Sequence, residues 1–252
     1  ASGFAALYQS LAFVTETHML KPFPIRVDAT QAMLEEFISY TTQNADAIRD
    51  ARKKDRLALR SSTSHVIDWK VDTSKVELVP FLGFEPYYQK SPVTGQDQLY
   101  YDRGKPFNRY VKFYDEYVAS KTAKIPTFYF VPQAWSEVIE RLKLNKIEFK
   151  RLSRDTVIEL STYSIGNYKT GSKPYEGHYV HSETEIVEDN KRVRLYAGDY
   201  MIPTDQDAIR YIVETLEPNA PDSWFSWGFF DSILQQKEWF SDYVFDDMAT
   251  II

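Results

Sequence analysis

The apolar positions of this chain change their period from one stretch to the next, and each period predicts a different element. Residues 3–14 read GFAALYQSLAFV and end in the unbroken run Leu11-Ala12-Phe13-Val14. A run without alternation predicts a strand covered on both faces. Beyond Pro22 and Pro24 the period becomes helical, with Leu34, Phe37, Ile38, Ala45 and Ile48 on one face. Asp28 and Gln31 approximate a capping box for that helix, and the basic residues of RDARKKDR suit its C-terminus as a solvated face.

From about residue 56 to 125 the segments HVIDWKV, VELVPFLGF and RYVKFYDEYV carry strand-like β-branched and aromatic content, broken by the turn-forming SPVTGQDQ. From about 126 the types mix. TFYFV predicts a strand, and Pro132 opens a helix with Trp135, Val138, Ile139 and Leu142 at i, i+3, i+4 and i+7, ended by Asn145. IEFKRL and TVIELSTY predict further strands. ETEIVEDNKRVRLYA predicts a hairpin turning at Asp189-Asn190. PTDQDAIRYIVETL predicts a helix capped by Thr204, with Asp207 three residues on. The aromatic-rich end, from DSWFSWGFF onward, predicts packed helices. The fold class is therefore α/β passing into α+β: a strand-and-helix piece followed by a β-rich mixed region.

Composition narrows the function. The net charge of −6 argues against a nucleic-acid partner, which needs a basic face. No apolar run approaches the ~18 residues of a membrane span. Cysteine is absent, which excludes disulfides and thiolate metal sites. Aromatic content of 15% fits either a sugar-stacking surface or aromatic-rich strands and a well-filled core, the second being preferred.

Candidate chemistry gathers in two places. Glu16 and His18 stand at the lip of the predicted LAFV strand, where a carboxylate facing a cleft can be desolvated and serve as a general base. His178, His181 and Glu183, with Glu176 and Glu185 nearby, are weak metal candidates; in a strand His181, Glu183 and Glu185 share one face and His178 the other. A polar strand face beside a loop is the plainer reading of that cluster. His65 and Asp68 lie on opposite faces of their predicted strand, which disfavours a site there. A catalytic zinc needs about three protein ligands, and no histidine here has Glu three residues later. The chain also lacks a Gly-x-Ser-x-Gly elbow and a glycine-rich phosphate loop.

The segment GFAALYQSLAFVTETHMLKPFPIRVDATQAMLEEFISY resembles the last strand-and-helix segment of the carboxypeptidase A-like zinc metallopeptidases. It is most similar to a bacterial branch in which Glu-Thr-His-x-Leu-Lys-Pro comes after an apolar strand. VPQAWSEVIERLKLNKIEFKRL, PYEGHY and the stretch from GDYMIP through LEPNAPDSWFSWGFF resemble the region C-terminal to the peptidase domain in that branch. The resemblance implies that Glu16 is the general base and acid of peptide hydrolysis, with His18 and Lys21 beside it. It also implies zinc in a parent enzyme, with His-x-x-Glu and a later His upstream of residue 1. On this expectation residues 1–55 are the C-terminal element of a catalytic domain and 56–252 an accessory region, with a sub-boundary near 125. The parent would take a peptide or protein substrate and be secreted or periplasmic, whereas this chain alone would hold no zinc and be inactive. Its first stretch would be covered by the later region or by self-association. The alternative from another class is a non-catalytic module that binds peptide or carbohydrate, discriminated by the burial of Trp135, Trp224, Trp227 and Trp239.

Overall fold

A computed structural model describes residues 2–19, 21–235 and 241–251. Trp239, one of the four tryptophans whose burial bears on carbohydrate binding, lies outside them. The architecture is α+β: helices and small antiparallel sheets, the sheets mostly two-stranded. The chain divides into two compact units. The larger comprises residues 1–67 and 122–252, and the smaller residues 68–121.

The larger unit opens with α1 (Ser2–Ala6), followed by α2 (Phe23–Gln43) and α3 (Ala45–Arg60). α2 begins five residues before the Asp28 cap, because Pro24 is tolerated in a first turn whose N–H groups lack helical partners anyway. The single expected helix breaks at Asn44, whose backbone (φ −113°, ψ 19°) leaves the helical region. Neither helix buries a residue fully, and Leu34 and Ile38 are exposed. α3 is held to the later chain by charge: Arg60 pairs with Asp205 at 2.7 Å and with Asp207 at 3.3 Å.

The core forms where periodicity foretold it. β5 (Phe128–Val131) leads to α4 (Ser136–Leu144), whose Val138, Ile139 and Leu142 are fully buried on one face. They meet Ile202 of β9 (Tyr200–Pro203) and Tyr211 and Ile212 of α5 (Ile209–Leu216). Each such side chain contributes roughly 1.5–3 kcal/mol by leaving water. β9 is the central strand of a three-stranded sheet, antiparallel to β5 and to β6 (Lys150–Arg151). A second cluster joins Ile67 of β1 (Ser64–Val71), Ala123 of β4 (Tyr117–Lys124), and Ile209, Val213 and Ala220.

Two expectations fail here for local reasons. β7 (Thr156–Thr170) pairs along its length with β8 (His181–Leu195), which runs straight through Asp189-Asn190 opposite Thr162 and Ser161. A tight I′ turn needs positive φ at both central residues, and neither has it; β7 supplies the partner that a turn would have replaced. α5 starts at Ile209 rather than after Thr204, because the Thr204 hydroxyl donates to the carbonyl of Pro126 at 2.6 Å instead of capping a helix. Residues 218–230 are turns rather than helices, interrupted by Pro218 and Pro221 and closed at Gly228, where φ is +77°. A short 3₁₀ turn (Asp231–Leu234) and α6 (Asp242–Ala249) complete the described chain.

The smaller unit is built on one long hairpin, β2 (Glu77–Lys90) against β3 (Asp97–Phe113), turning at the predicted SPVTGQ. Gly95 (φ +67°) supplies the left-handed position of that turn. No residue of 68–121 is buried.

Candidate functional site

The stretch around Glu16 begins anchored and then departs from the core. Tyr8 stacks on Tyr211 with ring centroids 5.7 Å apart, and its hydroxyl donates to Asn145 Oδ1 at 2.9 Å. Burial pushes that hydroxyl up to about 12. Arg52 of α3 clamps the adjoining turn, donating to the carbonyl of Gln9 at 2.7 Å and to Ser10 Oγ at 2.8 Å. From residue 11 the character changes. Leu11, Phe13 and Val14 are 70%, 67% and 64% exposed, and residues 11–18 form no strand. The expected LAFV strand is therefore an extended segment without ladder. A strand exists through hydrogen bonds to a neighbour, and no described strand lies beside it. Phe13 stacks on Phe37 of α2, with centroids 4.8 Å apart. Glu16 is exposed, so the desolvation expected at a cleft is not present in this arrangement. His18 is exposed as well, and its carbonyl accepts the Lys21 N–H at 3.0 Å.

The histidine–carboxylate cluster is held apart rather than brought together. His181 is buried, with Nδ1 at 3.0 Å from Thr170 Oγ1 and Nε2 at 2.9 Å from Asp231 Oδ1. Tyr168 and Phe225 pack on its ring. His178 instead lies edge-on to Trp227, at 5.5 Å. Glu183 pairs with Lys169 at 2.7 Å on the surface. The shared face expected for His181, Glu183 and Glu185 is broken because Glu183 takes a left-handed backbone (φ 50°) where the β7–β8 register slips. Among the described residues no three His, Asp or Glu side chains gather as a metal site requires. No zinc-dependent step is assigned to the described residues. His65 turns to α5, its Nε2 at 2.8 Å from Glu214 Oε1.

Among the cavities formed by described residues of the larger unit, two bear on function. One, of about 360 Å³, is lined by Trp135, Glu137, His178, Trp227 and Phe229. The other, of about 710 Å³, runs along β5 and the first half of β7 and is lined by Phe128, Tyr129, Phe130, Tyr163 and Glu188 among others. Behind its wall sits Glu217, 1% exposed, accepting hydrogen bonds from the hydroxyls of Tyr129 and, at 3.5 Å, Tyr163. Burial pushes the Glu217 carboxyl up; the two hydroxyls pull it down without cancelling that, and Glu188 adds to the rise. Both tyrosines are raised in turn, by burial first and by the Glu217 charge second.

No family model matches the chain, and no solved structure matches it. Three curated proteins are similar to part of it. The proteins called Carboxypeptidase 2 from Trichophyton tonsurans and Trichophyton equinum are each 29% identical over 108 residues. Carboxypeptidase 2 from Trichophyton rubrum is 27% identical over 108 residues. The matched stretch is 42% of this chain and 20% of each relative, so the chain spans about a fifth of the length of the relatives it matches. Over that stretch the chain is similar to proteins named Carboxypeptidase 2.

Glu217 is the group that sequence reasoning passes over. It lies in Leu-Glu-Pro, directly after an apolar helix, and a charge at that boundary is the available signal. Trp224 packs against the core, which removes one of the aromatics on which carbohydrate stacking depends; Trp135 packs there too but also lines both cavities. Trp227 is half-buried over the smaller cavity.

Proposed function

We propose that residues 1–252 are the carboxy-terminal part of a secreted peptidase of the carboxypeptidase type. The observation that supports this most is the 108-residue similarity to proteins named Carboxypeptidase 2. In this reading Glu16 is the proton carrier of hydrolysis. Its carboxylate takes a proton from the attacking water and returns it to the leaving amine, with His18 beside it. Exposure of Glu16 on an extended, unladdered segment suits a group that meets the remainder of its site on another part of the protein. Zinc, in this reading, is held by residues outside 1–252, and residues 56–252 form the accessory region.

The test compares the longest natural protein containing this sequence with residues 1–252 alone, on blocked peptides bearing a free C-terminus. The longer protein is expected to release C-terminal residues, and 1–252 to release none. Glu16→Gln in the longer protein should lower kcat by about 100- to 10,000-fold while leaving the protein folded. An unchanged kcat in that variant, or hydrolysis by 1–252, would overturn the reading.

A further inference from the structure

The larger cavity combines an apolar body with one acidic end. Phe128, Tyr129 and Phe130 are among the residues that line it. Its charged groups are unequal. Glu188 is fixed in the wall by Ser161 Oγ, which donates to Oε1 at 2.7 Å. The only cation beside it among the described ion pairs is Lys124, whose Nζ lies 3.7 Å from Oε2 and whose side chain is 84% exposed. A pair that long and that exposed neutralises little charge. Tyr163 stands in the same wall and directs its hydroxyl to Glu217, so a second carboxyl lies one ring behind the first.

We propose that this groove binds a peptide segment carrying an arginine beside an apolar side chain. Charge complementarity selects the head: Glu159 has Arg192 opposite it in the ladder, but Glu188 faces only one loosely held lysine, which disfavours an anion and favours a cationic donor over a neutral one. A guanidinium meets the free demand of Glu188 with a forked pair of N–H donors and lies over aromatic faces at the same time. The apolar wall takes the neighbouring side chain, and the volume falls within the ~300–1,000 Å³ usual for ligand sites. Glu217 deepens the field: a cation at Glu188 favours the ionised form of Glu217, so binding is expected to release protons where Glu217 still carries one. The inference does not rest on the peptidase reading, since it is read as binding without hydrolysis.

The test titrates residues 1–252 with acetyl-Phe-Arg-Leu-amide and with the same peptide in which citrulline replaces arginine, monitored by calorimetry and intrinsic tryptophan fluorescence. The arginine peptide is expected to bind about tenfold tighter or more than its neutral isostere. Glu188→Gln, which keeps an acceptor for Ser161, should bring the two affinities within about twofold of each other. Raising the salt concentration should narrow the ratio in the unaltered chain, a reading that needs no variant to fold. Glu217→Gln should abolish proton release while keeping a preference for arginine. Equal affinity for the two peptides, no binding of either, or a ratio untouched by Glu188→Gln overturns the proposal.

Discussion

Glu217 shows how one buried carboxyl links position to pH. Its folded-state value lies above the ordinary 4.5, because burial outweighs the two tyrosine hydroxyls. The folded chain therefore holds this proton more tightly than the unfolded chain does. Its contribution to stability falls as pH rises from the unfolded value through the folded one, and stays constant beyond. Glu214 works in the opposite sense: burial raises it, but hydrogen bonds from His65 and Arg210 bring it below 4.5. Its contribution is present above the unfolded value and is lost as pH falls through the folded one. Glu217→Gln keeps an acceptor for Tyr129 and removes the first effect only. The variant is expected to be at least as stable as the parent at neutral pH, and the difference between them should vanish on acidification towards pH 4.5. Tyr129→Phe removes the donor but leaves the carboxylate, and should cost about 1–3 kcal/mol at neutral pH. Urea unfolding at a series of pH values measures both; a Glu217→Gln stability that tracks the parent at every pH would show that the carboxyl is not desolvated.

At the level of elements, Tyr8 decides whether the first ten residues belong to the folded body. α1 is only five residues long and buries nothing fully, and so short a helix does not hold itself. It is held by the Tyr8 ring on Tyr211, by the Tyr8 hydroxyl on Asn145, and by the Arg52 clamp behind it. Tyr8→Ala should free residues 2–10, raising their amide exchange while the amides of α4 and α5 stay protected. Tyr8→Phe should keep the docking and cost only about 0.5–1.5 kcal/mol. The same elements show what the sequence makes legible. α4 is readable because its burial keeps one period over a whole element, and Val138, Ile139 and Leu142 all enter one core. β8 is not readable at Asp189-Asn190, because the partner strand that straightens it lies about thirty residues upstream. LAFV carries the composition of a strand, but a ladder needs a neighbour, and local pattern does not report one. Glu217 is illegible for the same reason: its burial is made by tyrosines 88 and 54 residues away.

Across the whole molecule, the apolar core is confined to one of the two units. Every buried hydrophobic side chain among the described residues lies in residues 1–67 or 122–252, with Ile67 and Ala123 at the junctions. The hairpin of residues 68–121 has none, and a two-stranded ribbon is marginal in water by itself. It carries exposed aromatics instead, including Tyr88, Tyr101 and Tyr110. β1 and β4 run antiparallel, closed at one end by Ile125 N–H to Thr63 and at the other by Asp72 N–H to Glu116, each 2.9 Å. Residues 72 and 116 are thus already at hairpin distance. Replacing residues 73–115 by Asn-Gly, the preferred two-residue turn, should join them without moving Ile67 or Ala123. The shortened chain is expected to unfold cooperatively, with a denaturant midpoint close to the parent's and with the arginine-peptide binding of the larger cavity intact, since no residue lining that cavity is removed. A broad, non-cooperative transition would mean instead that the ribbon supports the core, and that the division of the chain into an apolar body and an aromatic ribbon is not an energetic one.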